Sequence, residues 1–242
     1  MLAALKSIPP ATTAANASLL NATASAVLLL TAEPLQLTPA AQTTALDVMA
    51  TIINAAGPSV SQGAAQTITG VLDSVAAAAT LQSAAASGNS SASASAAAAA
   101  VLVAIVDGTS ALSGNLLAGL VARGGAGAGG GGGVLVSVST PRIQLSVQVA
   151  SPAALQSANM TAPGSASWFD PLPPAALGAA PAGAPVSAQF ASFTFNPYLA
   201  TATAQKSLSG RRRLGGDDAA SSPVRALPTR APPYVWAASI LR

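Results

Sequence analysis

From Val134 to Ala150 the chain reads VLVSVSTPRIQLSVQVA, and one side of every second position is apolar. Val134, Val136 and Val138 stand against Leu135, Ser137 and Ser139. After Pro141, Ile143, Leu145, Val147 and Val149 stand against Gln144, Ser146 and Gln148. A period of two in β-branched and aliphatic residues predicts two strands, each with one buried face. Val186 to Phe195 resumes that period, with Val186, Ala188 and Phe190 on one side and Phe193 and Phe195 on the other. The phase slip near Ala191-Ser192 predicts a β-bulge, and Asn196-Pro197-Tyr198 ends the strand.

Upstream the spacing changes to three and four. Leu19, Ala22 or Thr23, Ala26, and Leu29 or Leu30 predict a helix over 11–31, ended by Glu33-Pro34. Thr38-Pro39 reads as N-cap and first residue of a second helix, with Leu46, Met49, and Ile52 or Ile53 as its stripe and Gly57-Pro58 as its stop. Ser59 or Ser61 caps a third, with Ile68, Val71, Leu72, Val75 and Ala79 on one face. Ser83 to Ser95 reads as a loop or a frayed join, being Ala/Ser-rich around Gly88-Asn89. A fourth helix carries Leu102, Ile105, Leu112, Leu116 and Leu120 in step.

These elements predict an α+β chain in four parts. Residues 1–122 form an Ala-rich antiparallel helical bundle. Residues 123–133, with their glycine run, form a flexible linker. Residues 134–205 form a small antiparallel β-sheet or sandwich portion, and 206–242 a disordered basic tail. Within the third part, 151–185 is proline-rich and read as loop, with Trp168-Phe169 and Leu172 plugging the edge of the sheet.

Composition changes the picture in three ways. Much of the 51% hydrophobic content is alanine, aromatics are 3% and charged residues 7%, which predicts a thin core. The net charge of +3 belongs wholly to the tail: residues 1–205 sum to −2 and residues 206–242 to +5. A nucleic-acid partner would need a basic face with aromatics on the folded part, so none is expected. Cysteine and histidine are both absent, which removes disulfides, thiolate nucleophiles, histidine bases and N/S zinc sites together.

Each candidate site then has a plain reading beside it. The glycine run lacks a GK[ST] ending and enters a strand, so it is not a phosphate loop. Asp47, Asp73 and Asp107 fall one per helix, but without a Glu-x-x-His motif they are expected to face water, not to hold a metal. Asn16, Asn21, Asn89 and Asn159 begin N-glycosylation sequons, four of the seven asparagines in the chain. Asn89 and Asn159 lie in loop-like sequence and are the expected acceptors, while Asn16 and Asn21 fall on a helix. Ala92 to Ala122 invites a membrane-span reading, yet Asp107 near its middle costs about 2.5–3.5 kcal/mol on insertion and alanine offsets almost none of it. Arg211-Arg212-Arg213 reads as a solvated tail cluster.

The order of pieces resembles a known arrangement. LTPAAQTTALDVMATIINAAG and VSQGAAQTITGVLDSVAAA look like the helical part of the receptor-for-egg-jelly and GAIN-type regions of polycystin-like cell-surface proteins. VSVSTPRIQLSVQV, GSASWFDPLPPAAL and FASFTFNPY look like the β part that follows. The resemblance covers residues 10–200. It implies an extracellular segment of a large membrane or cell-surface protein, with a mechanical or adhesive role. GAIN self-cleavage needs a His-Leu before a Ser or Thr nucleophile in a cysteine-bracketed motif, so without His or Cys no catalytic residue carries over.

The expectation is therefore a non-catalytic extracellular module with no cofactor and no metal. Its partners are neighbouring domains of a larger chain and glycan or protein ligands, with the membrane reached only through the parent protein. Met1 to Pro10 does not read as a secretory signal, so the expectation is either an intracellular protein or an internal piece of a longer chain. The alternatives are an integral membrane helical protein and a translated fragment whose thin core does not offset chain entropy.

Overall fold

A computed structural model describes residues 17–86, 92–123, 134–157, 160–161, 168–169, 186–195 and 234–241. Among the described residues four long helices come first: α1 (Ala17–Leu30), α2 (Pro39–Ala56), α3 (Gln62–Ala86) and α4 (Ala92–Ala122). They precede β1 (Val134–Ser139), β2 (Ile143–Ala150), a short α5 (Pro152–Ser157), β3 (Met160–Thr161), β4 (Trp168–Phe169), β5 (Val186–Phe193) and β6 (Tyr234–Leu241). The chain is α+β, as its two periodicities predict.

Local chemistry sets the helix ends. The Thr38 hydroxyl accepts a hydrogen bond from the Ala41 N–H at 3.2 Å, with Pro39 at the first helical position of α2. Gly57 ends α2 at φ +48°, a left-handed value that glycine adopts without a Cβ penalty. Of the two serines read as caps for α3, Ser61 serves: its hydroxyl accepts from the Ala64 N–H at 3.1 Å. The stretch 83–95, read as a loop or a frayed join, is helical at both of its ends. Helix α3 runs on to Ala86 and α4 has begun by Ala92, because alanine has the highest helix propensity and outweighs the serines between.

The four helices pack as neighbours, α1 on α3, α2 on α3 and α4, and α3 on α4. Gly119 of α4 lies against Pro58, where the backbone between α2 and α3 comes so close that a methyl group would overlap the Pro58 carbonyl. Gly114, five residues earlier, faces open space. Gly114→Ala is therefore expected to raise stability by up to about 1 kcal/mol through helix propensity alone. Gly119→Ala makes the same propensity gain but is expected to lower stability by about 1–3 kcal/mol, since helix and turn must separate. Urea midpoints of the two variants check both signs.

The main sheet is antiparallel with order β1-β2-β5-β6. Val136 stands opposite Val147 and Val138 opposite Leu145; Ile143 stands opposite Phe193. Ile143, Leu145, Val147, Val149 and Phe193 are all buried, and they join Ile68, Leu72, Val75, Ile105 and Leu112 of α3 and α4 in one core. Helices and sheet are thus two layers around one core, with α3 and α4 lying against the sheet.

The second face of β2 departs from the simple alternation. Ser146 and Ala150 are buried as well, and so are Val186, Ala188 and Phe190, which share that face. Phe190 stands directly across from Ser146, a large ring beside a small side chain. The central strands are buried on both faces there, so the expectation of a single buried face fails at these positions. Leu155 of α5 is also buried, within a stretch read as loop from its prolines.

One further expectation is corrected. The expected disorder over 206–242 does not hold for Tyr234–Leu241, which forms β6 and pairs with β5 from Ser187↔Leu241 to Phe193↔Tyr234. The register breaks between Gln189 and Ala191, next to the predicted bulge, while the β2–β5 pairing runs through unbroken. Trp168–Phe169 pairs with Met160–Thr161 in a separate two-stranded ladder. Leu172, the glycine run and residues 196–233 lie outside the described residues.

Candidate functional site

The densest polar chemistry lies where α3 meets the β1–β2 hairpin. Gln62, Gln66 and Asp73 are four and seven residues apart, a spacing that places them on one stripe of the helix. Gln62 Nε2 donates to the Ser137 carbonyl at 3.1 Å, and Gln66 Nε2 to the Ser139 carbonyl at 3.0 Å. Those carbonyls belong to β1, the outermost strand, so α3 occupies acceptors that another strand would otherwise use.

Asp73 closes the other end of the stripe. Its side chain is 11% exposed, and Oδ1 accepts from the Arg142 backbone N–H at 2.6 Å and from the Thr140 hydroxyl at 2.9 Å. Oδ2 pairs with the Arg142 guanidinium at 3.3 Å. The Thr140-Pro141-Arg142 turn is held inside itself too: the Thr140 N–H donates to the Ile143 carbonyl at 2.8 Å, and the Ile143 N–H to the Thr140 hydroxyl at 3.1 Å. Asp73 therefore does not face water as its sequence context suggested; the carboxylate fixes the hairpin to the helix. Pro141 cannot donate, so the first free donor after it, the Arg142 N–H, is the one Asp73 takes.

Replacing Gln62 and Gln66 together by alanine is expected to change the thermal midpoint little, since both side chains reach an exposed edge. It is expected to increase concentration-dependent association, because two acceptors of β1 lose their cover. Light scattering over a concentration series checks this.

Other polar groups also tie elements together. Asn115 of α4 donates to the Ile53 carbonyl near the end of α2 at 2.7 Å. The Ser113 hydroxyl of α4 lies 2.7 Å from Gln189 Oε1 of β5. Gln42 and Gln82 both donate to the Leu37 carbonyl, at 3.1 and 2.7 Å, which fixes the α1–α2 connection to α3. Gln42 Oε1 is buried without a partner.

Two cavities among the described residues are small and mostly apolar. One of about 150 Å³ lies where α1, α2 and α3 meet, lined by Leu20, Ala24, Ile52, Val60, Ala64 and Ile68 with Asn21, Ser59 and Ser61 around them. None of these side chains titrates, so the cavity offers no acid or base. A second, of about 100 Å³, lies between α4 and the sheet beside Ser113 and Gln189.

The sequence candidates are not brought together. Asp47 is half-buried on α2, Asp107 is exposed on α4, and Asp73 faces the hairpin. Among the described residues no three of His, Cys, Asp and Glu gather as metal ligands. Asn21 is exposed on α1, but its sequon partner Thr23 is buried and donates its hydroxyl to the Leu19 carbonyl at 2.8 Å. Asn16, Asn89, Asn159 and Arg211-Arg212-Arg213 lie outside the described residues. Ser95–Ala122 of α4 is long and apolar enough to cross a membrane, while its Leu102, Ile105, Leu112, Leu116 and Leu120 are buried in the shared core. Sequence reading missed the Asp73 clamp and the glutamine cover; the signal available was a polar stripe at 62, 66 and 73 on a helix otherwise patterned for burial.

No family model, no curated protein and no solved structure matches this chain.

Proposed function

We propose that the chain is a non-catalytic extracellular module of a larger cell-surface protein, with an adhesive or mechanical role. The observation that carries this reading is the junction of α3 with the hairpin. Its carboxylate, two carboxamides and one guanidinium bind backbone or one another, so they hold a helical layer to a sheet. The sequons and the resemblance to receptor-for-egg-jelly and GAIN-type regions support the extracellular setting. Neighbouring domains of the parent chain, and glycan or protein ligands, are the partners this reading implies; it assigns no cofactor, metal or nucleic acid.

A second reading, an integral membrane helical protein, rests on the length and apolarity of Ser95–Ala122. Expression behind an added signal peptide separates the two. The module reading expects a soluble chain in the medium, with mass at Asn89 and Asn159 that an N-glycosidase removes, and little at Asn21, whose Thr23 hydroxyl is already bonded. A span through Ser95–Ala122 puts Asn89 and Asn159 on opposite sides of the bilayer, so at most one is modified. A carbonate-resistant, membrane-bound chain with one or neither modified contradicts the module reading.

A further inference from the structure

Helices α1, α2 and α3 each bring one longer and one shorter apolar side chain to the same place. Leu20 and Ala24 on α1, Ile52 and Ala56 on α2, and Ala64 and Ile68 on α3 are spaced four apart, so each pair lies on one face of its helix. Leu20, Ala24, Ile52 and Ile68 are buried, with Val60 beside them. The three alanines are too short to fill what the helices enclose, and a space of about 150 Å³ remains. Asn21, Ser59 and Ser61 line it too, and all three are exposed, so its polar groups stand at the mouth and its interior is hydrocarbon. The Ser61 hydroxyl accepts from the Ala64 N–H, which leaves its own hydrogen to donate.

We propose that this cavity binds a small uncharged aromatic alcohol of the phenol class, with the ring inward and the hydroxyl at the mouth. Size sets the first limit. Pockets for drug-sized molecules measure about 300–1,000 Å³, whereas an apolar cavity of about 150 Å³ takes a single benzene ring. Charge sets the second. No lining side chain titrates, so nothing here would pair with a carboxylate or an ammonium group, and leaving either in hydrocarbon is strongly unfavourable. The mouth sets the third, since one carboxamide and two hydroxyls can bond a single polar substituent. Water is a poor occupant of the interior, which offers it no hydrogen-bond partners. The inference concerns a ligand and does not depend on the proposed module function.

The full-length chain is titrated with phenol, toluene and benzoate, and binding is read by saturation-transfer NMR and by the thermal midpoint. Phenol is expected to bind in the millimolar range or tighter and to raise the midpoint. It is expected to bind about two- to tenfold tighter than toluene, the worth of one hydrogen bond. Benzoate is expected not to bind. Ala24→Leu fills the space from α1 and is expected to abolish phenol binding while the chain stays folded. Ala64→Leu does so from α3, and serves where the first variant does not fold. Ala22→Leu, on the exposed side of α1, is expected to bind phenol as the parent chain does. Asn21→Ala combined with Ser59→Ala should bring phenol down to the level of toluene and leave toluene unchanged. No saturable phenol binding by the full-length chain overturns the proposal. So does phenol binding that survives in the folded Ala24→Leu or Ala64→Leu chain, which places it elsewhere. Toluene binding as tightly as phenol, or benzoate binding at all, overturns the ligand class.

Discussion

Val147→Asp is expected to leave the chain unfolded at 25 °C, while Gln148→Asp, one residue on, leaves it folded. Val147 has no exposed surface and lies in the core that β2 shares with α3 and α4. A carboxylate there has no cation within the apolar surroundings, and burying it unpaired costs several kcal/mol even after it takes up a proton. Domains of this kind are stable by only about 5–15 kcal/mol, and an alanine-rich core belongs at the low end. Gln148 is half-buried on the opposite face, so a carboxylate at that position keeps contact with water. Its expected cost is about 1 kcal/mol. Circular dichroism and urea titration of the two variants check the contrast. Equal effects would show that the alternation does not set which face is buried.

Asp73→Ala is expected to lower stability by about 2–4 kcal/mol. The loss leaves the Arg142 N–H and the Thr140 hydroxyl, both partly buried, without their charged acceptor, and hydrogen bonds to a charged group carry more than neutral ones. The guanidinium contributes little of this. Arg142 is 38% exposed and its ion pair is screened, so Arg142→Ala, which keeps the backbone N–H, is expected to cost less than about 1 kcal/mol. Asp73→Asn keeps one acceptor oxygen and should fall between the two. Guanidinium chloride midpoints order the three variants. A larger loss for Arg142→Ala than for Asp73→Ala would place the stabilisation in the ion pair and not in the turn.

How far the sequence foretold this arrangement differs by element. The β2 core face, Ile143, Leu145, Val147 and Val149, is legible because a strand alternates strictly and burial keeps register with it. Thr38-Pro39 and Gly57 mark the ends of α2 because capping depends on a few adjacent residues. In the run 83–95, read as a loop or frayed join, helix reaches Ala86 from one side and Ala92 from the other, because alanine sustains it at both ends. Strand β6 was missed for a different reason. The proline, glycine and arginine of 206–233 colour the whole tail, although Tyr234-Val235-Trp236 and Ile240-Leu241 have strand-forming composition on their own. The Asp73 clamp was hidden because a helix pattern shows which residues share a stripe but not what lies opposite. The acceptors' partners, Thr140 and Arg142, are almost seventy residues away in sequence.

The central claim is that helical layer and sheet form one structural unit around one core, fastened through α3. Native-state hydrogen exchange of the full chain tests it most directly, comparing amides of α3 around Ile68–Ala79 with those of β2 between Ile143 and Ala150. The account predicts that the slowest amides of both segments open with the same free energy, fall together as denaturant is added, and are lowered together by Asp73→Ala. Strand amides that exchange freely while those of α3 stay protected would contradict it.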